Sequence, residues 1–264
     1  MIIIGERINT SRKEIAQAVE KKDAEFIKLE AKKQAEAGAD FIDINCGTNI
    51  HTEVEDMKWV AGLVQSVVDK PLCIDSPNPK AIEAVLSIHK GRAFVNSVTA
   101  EWQRAELVLP LVKKYDCFVV GLAVSGSGVP ATAVERANAA KQILEYIDKF
   151  SIDRSRLYID AVVQSIATDP NQGLEFLNGV KLIKSSLGLK TIAGVSNISF
   201  GLPKRTAINA SFLAMAVSYG LDAAIIDVIN PGIYTTLCAA KLLTGLDPYC
   251  HGYISAYRSG KIHA

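Results

Sequence analysis

The chain has 264 residues, of which 49% are hydrophobic and 22% charged, and its formal net charge at pH 7 is +1. This length suits a single α/β barrel, and the composition is sufficient to bury a large core. The balance of 29 basic and 28 acidic residues excludes a general electrostatic attraction to nucleic acid or to an anionic membrane.

The cysteines and the N-terminus predict the compartment. Five cysteines, an odd number without a C-x-x-C pair, indicate free thiols under reducing conditions: Cys46, Cys73, Cys117, Cys238 and Cys250. The N-terminus lacks the basic leader and long apolar region of a signal peptide. No apolar run approaches the roughly 20 residues that span a bilayer. We therefore expect a soluble cytoplasmic protein that does not bind a membrane.

Short apolar runs alternate with longer stretches of helical period along the chain. The runs predict eight strands at residues 2–4, 41–44, 71–74, 93–95, 118–124, 157–159, 192–195 and 223–226. The stretches predict helices at residues 24–37, 54–68, 79–89, 104–115, 131–150, 172–187, 207–219 and 232–243. Asp23 and Gly38 are predicted to cap the first of these helices, with Phe26, Leu29 and Ala35 facing inward.

The predicted strands are continuous apolar runs without strict alternation, which is typical of a parallel sheet buried on both faces. Eight strand–helix units in a row predict an α/β fold, a single (β/α)8 TIM barrel forming one domain over residues 1–264. The alternative is an open doubly wound sheet, which the strand count disfavours.

Polar side chains close nearly every predicted strand. In a barrel the C-terminal ends of the strands form the catalytic face. The residues that close the strands are Glu6, Arg7, Asn9, Asp43, Asn45, Asp75, Ser76, Asn96, Ser97, Asp160, Ser196, Asn197, Asp227 and Asn230. Burying such groups without partners costs about a few kcal/mol each. One acid at a strand end is usually a turn residue, but the convergence of Asp75, Asn96 and Asp160 on Asn197 favours a ligand site.

Several kinds of site are excluded by what the strand ends lack. No histidine ends a strand, since His51, His89, His251 and His263 fall in loops, helix ends or the tail. No His/Cys/carboxylate set has metal-ligand spacing, and no lysine lies near a C-terminal strand end to form a Schiff base. The sequence contains neither a G-x-S-x-G elbow nor a dinucleotide fingerprint. The predicted site therefore consists of carboxylates and amides, without a metal or a covalent nucleophile.

A site of this kind suits a flat heterocycle with several donors and acceptors. A pterin ring presents an N–H and an exocyclic NH₂ side by side, and a carboxylate accepts this fork as a pair. The carbonyl and ring nitrogens of a pterin complement side-chain amides.

Seven segments together resemble the pterin-binding methyltransferases. They are residues 3–9 (IIGERIN), 43–45 (DIN), 72–76 (LCIDS), 96–97 (NS), 158–160 (YID), 194–197 (GVSN) and 207–216 (AINASFLAMA). The resemblance is to methyltetrahydrofolate:corrinoid protein methyltransferases, kin to the folate domain of cobalamin-dependent methionine synthase, and it covers essentially the whole chain. Dihydropteroate synthases share the fold. Their first-strand asparagine loop and serine–arginine–proline–glycine segment are not visible here.

The resemblance implies that Asp75, Asn96 and Asp160 bind the pterin, with Asn197 close to N5, the nitrogen that carries the methyl group. Ser196 and Arg205 are further candidates for substrate binding. Secondary candidates are Glu6, Asn9, Asp43, Asn45, Phe200 and Asp227. The resemblance also implies tetrahydrofolate or its methyl form as substrate and cobalamin carried by a partner corrinoid protein. That partner would dock at the C-terminal face of the barrel, and the enzyme would be a homodimer without a bound metal.

Three residues that follow Asn197 in the chain, Phe200, Lys204 and Arg205, differ in how closely they match the family. Some members of the resembled family carry a polar amide where this chain has Phe200, which puts in doubt any proton network through that position. Arg205 matches a cation of the family and is expected to meet the glutamate tail of folate or to stabilise the loop. Lys204 equally suits a solvated helix start. No strand-end residue is an obvious acid at N5, so we expect solvent to supply the proton.

The expected activity is methyl transfer between methyltetrahydrofolate and the cobalt of a corrinoid protein, in a direction that the sequence leaves open. Three alternatives remain at this point. They are a dihydropteroate synthase-like condensation, a non-catalytic folate-binding module, and an unrelated barrel lyase or isomerase that acts on a small polar substrate.

Overall fold

A closed barrel of eight parallel strands forms the centre of the computed structural model, which describes residues 1–126 and 128–262. The strands are β1 (Ile2–Asn9), β2 (Phe41–Asn45), β3 (Leu72–Asp75), β4 (Phe94–Thr99), β5 (Phe118–Leu122), β6 (Leu157–Asp160), β7 (Lys190–Gly194) and β8 (Ala223–Ile226). Each strand pairs with the next in the chain, and β8 pairs with β1 to close the barrel. The predicted (β/α)8 fold is confirmed.

Ten helices surround the strands in the described part of the chain. They are α1 (Lys13–Glu20), α2 (Ala24–Ala37), α3 (Glu53–Val67), α4 (Pro79–Leu86), α5 (Trp102–Lys114), α6 (Ala133–Lys149), α7 (Gln172–Leu187), α8 (Arg205–Ser218), α9 (Pro231–Leu243) and α10 (His251–Arg258). All eight predicted helices are present, whereas α1 and α10 were not predicted. Among the helices so described, none has the length and apolar character needed to cross a membrane.

The predicted caps of α2 are confirmed, and its predicted inner face is wrong at Leu29, whereas Phe26 packs against the core and Ala35 is half-buried. Asp23 accepts a hydrogen bond from the backbone N–H of Phe26 at 3.1 Å, and Gly38 ends the helix in the left-handed conformation. Leu29 is 50% exposed, and the buried face carries residues 27, 30, 31 and 34 instead. Gln34 Oε1 accepts a hydrogen bond from the backbone N–H of Arg7 on β1 at 3.0 Å. This bond directs the side of α2 that carries Gln34 toward the barrel.

Apolar side chains fill the lower part of the barrel, which is the part away from the C-terminal ends of the strands. The inward cluster consists of Ile4, Phe41, Cys73, Phe94, Val120, Tyr158, Ile192, Ala223 and Ile225. Phe94 lies at its centre, with its ring centroid 4.9 Å from that of Phe41 and 5.0 Å from that of Tyr158. A second, larger cluster lies between the strands and the helices. Because the lower barrel is packed, ligands have access to the interior from the C-terminal strand ends.

All five cysteines are unpaired, as predicted. Cys73 packs within the barrel interior as a small apolar residue, and Cys46 and Cys117 are also buried. Burial raises the pKa of the Cys46 thiol to about 12, which keeps this group protonated.

Candidate functional site

A cavity of about 640 Å³ opens at the C-terminal ends of the strands. It is lined by Glu6, Asn9, Ser11, Arg12, Asp43, Asp75, Asn96, Ser97, Leu122, Asp160, Gly194, Ser196, Asn197, Phe200, Arg205 and Ile225. The apolar cluster described above lies beneath it.

The floor of this cavity follows from the period of a β-strand. Side chains two positions apart point to the same face of a strand. On every strand, the residue two positions after an inward apolar residue lines the cavity. This layer consists of Glu6, Asp43, Asp75, Asn96, Leu122, Asp160, Gly194 and Ile225. The first four strands and β6 contribute polar groups, whereas β5, β7 and β8 contribute apolar side chains or glycine.

Ten of the twelve predicted site residues line the cavity, and Asn45 and Asp227 do not. Asn45 lies beside it, where its Nδ2 donates to Asp75 Oδ2 at 2.9 Å. Asp227 accepts hydrogen bonds from Arg7 at 3.1 Å and Arg12 at 3.4 Å, so its carboxylate serves an ion-pair network at the end of β8. Asn230, another predicted strand-end residue, caps α9.

The described histidines lie away from the cavity lining. His89 Nε2 accepts the backbone N–H of Leu72 at 3.0 Å, at the opposite end of β3 from the cavity. His263 lies outside the described residues. Within residues 1–126 and 128–262, no group of three or more His, Cys, Asp or Glu residues is arranged to hold a metal ion.

Asp75 and Asn96 are neighbours because their positions are paired in the register of β3 and β4. Burial raises the pKa of Asp75, Asn45 lowers it by its hydrogen bond, and the nearby Glu53 raises it. The two side chains together offer carboxylate oxygens and an amide on one side of the cavity, which suits a ligand edge with adjacent donors and acceptors.

Asp160 lies across the barrel on β6 and is 9% exposed. Its Oδ1 accepts the backbone N–H of Val162 at 2.7 Å. Val162 has a φ of +63°, a strained conformation for a β-branched residue, and this turn directs its N–H back to the carboxylate. Burial raises the pKa of Asp160 to about 6, while hydrogen bonds from the backbone N–H groups of Val162 and Gly194 and the charge of Arg136 oppose the rise.

Arg136, on α6, is a fully buried cation near Asp160 that the sequence did not single out. Its Nε donates to the carbonyl of Pro130 at 3.2 Å, and its Nη2 donates to Gln172. Its Nη1 has no hydrogen-bond partner within the described ranges. The guanidinium therefore carries a charge that is oriented by neutral groups rather than neutralised by a carboxylate in direct contact.

Glu6 and Asp43 also hold their protons more tightly than exposed acids do. Burial raises the pKa of Glu6, and the hydrogen bond from Ser196 Oγ at 2.8 Å lowers it. Burial and the neighbouring Asp75 raise the pKa of Asp43 well above its usual value. Burial in this layer therefore raises the pKa of several carboxyl groups. The expectation that solvent supplies the proton to N5 stays a prediction.

Asn197 reaches the cavity from a turn rather than from a strand. The predicted strand at residues 192–195 ends earlier, at Gly194, and Val195–Ser199 forms a short 3-10 helix. The Nδ2 of Asn197 lies 3.4 Å from the position that a Cβ of residue 194 would occupy, an ordinary contact distance, so the amide packs beside Gly194. Asn197 is exposed to the cavity, and no side-chain hydrogen bond ties it to the described residues.

Arg205 and Phe200 form the outer edge of the cavity beside Asn197. Arg205 Nε donates to Ser199 Oγ at 3.0 Å, and its Nη2 donates to the carbonyl of Ser196 at 2.7 Å. The guanidinium thus fixes the turn that carries Asn197. Phe200 is 70% exposed at the cavity mouth.

Six lining residues were not among the predicted site residues: Ser11, Arg12, Ser97, Leu122, Gly194 and Ile225. Of these, Ser97 was predicted only as a strand-end residue. Arg12 lies 3.6 Å from Glu6 and 3.4 Å from Asp227 in ion-pair contacts. The first strand was predicted to end at residue 4, whereas β1 continues to Asn9 and carries the chain to Arg12. A polar run that extends a strand gives little signal in a search for apolar runs.

Both the sequence and the fold are similar to those of known proteins. The sequence matches the family described as "Pterin binding enzyme" over residues 5–227. It is 35% identical to a methylcorrinoid:tetrahydrofolate methyltransferase of Eubacterium limosum, over 99% of this chain and 98% of that protein. It is 29% identical to methionine synthase of Mycobacterium leprae, over 86% of this chain and 20% of that protein.

A solved structure of dihydropteroate synthase from Stenotrophomonas maltophilia superposes with a TM-score of 0.70, covering 94% of each chain at 16% identity. At this level of identity the similarity is one of fold.

Proposed function

Because the chain belongs to the family of pterin-binding enzymes, we propose that it is a methyltransferase that moves a methyl group between N5 of methyltetrahydrofolate and the cobalt of a corrinoid protein. The resemblance found in the sequence is confirmed by a relative that matches nearly the full length of the chain. The observation that carries the proposal is the convergence of Asp75, Asn96, Asp160 and Asn197 in one cavity.

In this proposal residues 1–264 act as one pterin-binding unit, and the head of the ligand lies on the polar side of the floor. Asp75 and Asp160 accept the ring N–H and exocyclic NH₂ groups, and Asn96 complements the adjacent carbonyl or ring nitrogen. Ionised carboxylates make hydrogen bonds about twice as strong as neutral groups do. Glu6, Asn9, Asp43 and Ser196 complete the polar wall.

The reaction exchanges an N5–methyl bond for a cobalt–methyl bond. In one direction N5 first takes a proton, the electron pair of cobalt(I) then bonds to the methyl carbon, and the N5–carbon bond breaks with its electron pair kept by N5. In the other direction N5 attacks the methyl carbon, cobalt(I) leaves with its electron pair, and N5 releases a proton. Both directions pass through the same arrangement of atoms.

Asn197 is the catalytic residue of the proposal. Its side-chain oxygen accepts a hydrogen bond from protonated N5 and so stabilises the positive charge that makes N5 a better leaving group. Help of this kind is worth about 10²- to 10⁴-fold in rate. Alignment of the nitrogen, the methyl group and cobalt supplies a further part of the acceleration.

The corrinoid protein of this proposal docks at the C-terminal face, where the cavity opens. Exposed apolar side chains on two loops of that face, Ile50 and Phe200, support this choice. The enzyme is further proposed to act as a homodimer, which light scattering of the purified protein would test.

An anaerobic assay tests the proposed reaction. The protein is mixed with methyltetrahydrofolate and photoreduced cob(I)alamin, and the cobalt(I) absorption should give way to that of methylcobalamin. The reverse assay starts from methylcobalamin and tetrahydrofolate. If neither reaction occurs at any protein concentration, with free cobalamin or with a corrinoid protein, the proposal fails. Tight folate binding without reaction would instead identify a non-catalytic binding module.

A further inference from the structure

The guanidinium of Arg104 joins the chain after β3 to the end of β4. Arg104 lies in the first turn of α5, directly after β4. Its Nε donates to the backbone carbonyl of Ser97 at 3.0 Å, and its Nη2 donates to the carbonyl of Ser76 at 2.9 Å. Its Nη1 donates to the carbonyl of Pro77, in the loop before α4. All three nitrogens of one side chain therefore bind backbone oxygens at two neighbouring strand ends.

The two serines bound by Arg104 directly follow two residues of the cavity floor. Ser76 comes after Asp75, and Ser97 comes after Asn96. Asp75 and Asn96 are paired in the register of β3 and β4, and the backbone N–H of Ser76 donates to the carbonyl of Asn96 at 3.1 Å. Because β3 ends at Asp75, the guanidinium holds the two chains together just beyond the last residue of that strand.

The loop after β3 is also held by a buried carboxylate on its other side. Ser76 Oγ donates to Glu53 Oε1 at 2.6 Å, and both side chains are buried. Glu53 lies at the start of α3, whereas Arg104 lies at the start of α5. The residue that follows Asp75 is therefore fixed from two helices, through its hydroxyl by one and through its carbonyl by the other.

The contacts of Arg104 are suited to fixing distances rather than to neutralising a charge. Within the described ranges no carboxylate lies at ion-pair distance from its guanidinium, and all of its acceptors are carbonyls. Burial lowers the pKa of Arg104. A guanidinium is planar and rigid, so three carbonyls that bind it are held at fixed positions relative to one another.

We propose that Arg104 is a positioning residue of the cavity floor, which holds the ends of β3 and β4 at the spacing that lets Asp75 and Asn96 bind one edge of the ligand together. Arg104 does not line the cavity, so it acts through these two residues and not by touching the ligand. The inference rests on the proposed function, since it assumes that a pterin head binds to this pair.

Calorimetry with methyltetrahydrofolate tests this role. Arg104→Met removes the donors and keeps an apolar stem, and it should weaken binding about tenfold, which corresponds to about one misplaced hydrogen bond at the ligand. Arg104→Lys keeps the charge but lacks the planar fork that reaches three carbonyls, so it should weaken binding to a similar extent.

Lys113→Met is the matched control, because it removes another cation of α5 that binds a backbone carbonyl. Lys113 Nζ donates to the carbonyl of Phe150, which follows the last residue of α6, and neither residue lines the cavity. This variant should bind methyltetrahydrofolate with the affinity of the wild type.

A double-mutant cycle separates positioning from a general effect on the fold. If Arg104 acts through Asn96, then Arg104→Met should cost less affinity in an Asn96→Ala background than in the wild type. In an Asp160→Asn background it should cost as much as in the wild type, because Asp160 lies across the barrel on β6. Thermal unfolding of every variant reports stability separately from affinity.

Three results would overturn the role of Arg104 while the proposed function stands. The first is a lower unfolding temperature of Arg104→Met with unchanged affinity, which would make the residue purely structural. The second is an equal loss of affinity in all three backgrounds. The third is wild-type affinity of Arg104→Lys, which would show that the charge is sufficient. If Arg104→Met does not fold, Arg104→Lys is measured in the same backgrounds.

The wild-type protein distinguishes this inference from the proposed function. If it binds methyltetrahydrofolate and the variants show the expected coupling, but no methyl group reaches cobalt, the role of Arg104 stands and the methyltransferase is overturned. Failure of the wild-type protein to bind methyltetrahydrofolate would overturn both.

Discussion

Ser196 Oγ donates a hydrogen bond of 2.8 Å to Glu6 Oε1, joining the chain after β7 to β1 although β8 lies between these strands in the barrel. The bond therefore connects the first strand of the chain to the turn that carries Asn197. The same turn is held from the other side by Arg205, which binds the carbonyl of Ser196. Ser196 thus links the position of the turn that carries Asn197 to the protonation of Glu6.

Ser196→Ala should lower the free energy of unfolding at pH 7 by about 1 kcal/mol, the usual net contribution of one hydrogen bond. The pKa of Glu6 should rise further, because the Ser196 bond opposes the effect of burial. Urea denaturation measures the first effect. Ser66→Ala is the control, since Ser66 bonds only to Leu63 on an exposed helix surface. Equal stability of the two variants would show that the Ser196–Glu6 bond contributes nothing specific.

Asn197→Ala should slow methyl transfer by about 100-fold, the lower end of the range for proton-assisted catalysis. Its stability should match that of the wild type, because the amide has no side-chain hydrogen bond within residues 1–126 and 128–262 and is exposed. Rates come from single-turnover absorption of the cobalt centre, and stability from thermal unfolding. Asn171→Ala, at an exposed asparagine outside the cavity lining, should keep the wild-type rate. A wild-type rate for Asn197→Ala would remove Asn197 from the mechanism.

Asp160→Asn should stabilise the unliganded protein. The folded-state pKa of about 6 is above the ordinary value of 3.8, so the ionised group destabilises the fold above pH 6. This difference corresponds to about 3 kcal/mol at pH 8, and it disappears as the pH falls from 6 toward 3.8. Urea unfolding at pH 8 and pH 5 should therefore show a larger gain at pH 8.

The exposed Asp69→Asn provides the comparison for that substitution, and its stability should be unchanged at both pH values. A destabilised Asp160→Asn at pH 8 would mean that the backbone hydrogen bonds to the carboxylate outweigh the cost of burial.

Arg136→Met should shift the pH dependence of pterin binding. The groups that act on the Asp160 carboxylate are the backbone N–H groups of Val162 and Gly194 and the charge of Arg136, and removal of the charge should raise the pKa above about 6. In the proposed site the ionised carboxylate accepts the pterin N–H groups, so binding of the head should weaken at a higher pH in the variant. Calorimetric titrations from pH 5 to 8.5 determine this midpoint, with the exposed Lys141→Met on the same helix as control. An unchanged midpoint would exclude a role of Arg136 in setting this pKa.

The barrel and most of its floor could be predicted because both depend on local patterns. Asp75, Asn96 and Asp160 each follow an apolar run, and the parallel arrangement brings such ends to one face. The apolar members of the floor, Leu122 and Ile225, could not be recognised, because in a sequence they resemble any other core residue.

Side-chain partners far apart in the chain account for the errors. Leu29 was expected inside α2, but the pairing of Gln34 and Glu30 with Arg7 decides which side of that helix faces the barrel. Asp227 ends a strand as predicted, yet Arg7 and Arg12 draw it into an ion-pair network. Arg136 lies in the first turn of α6, and its burial near Asp160 depends on contacts with α7 and the loop before α6.

The floor of the cavity is not uniform. It is polar at β1 to β4 and at β6, and apolar or open at β5, β7 and β8. A planar ring that lies there with its donors turned the wrong way would leave carboxylates unpaired, which costs several kcal/mol. If the proposed pterin binds on this floor, we expect its ring to take the one orientation that pairs the carboxylates. The substituent would then leave the ring in one direction, so the barrel should accept only one configuration at the carbon that joins the pterin to its arm.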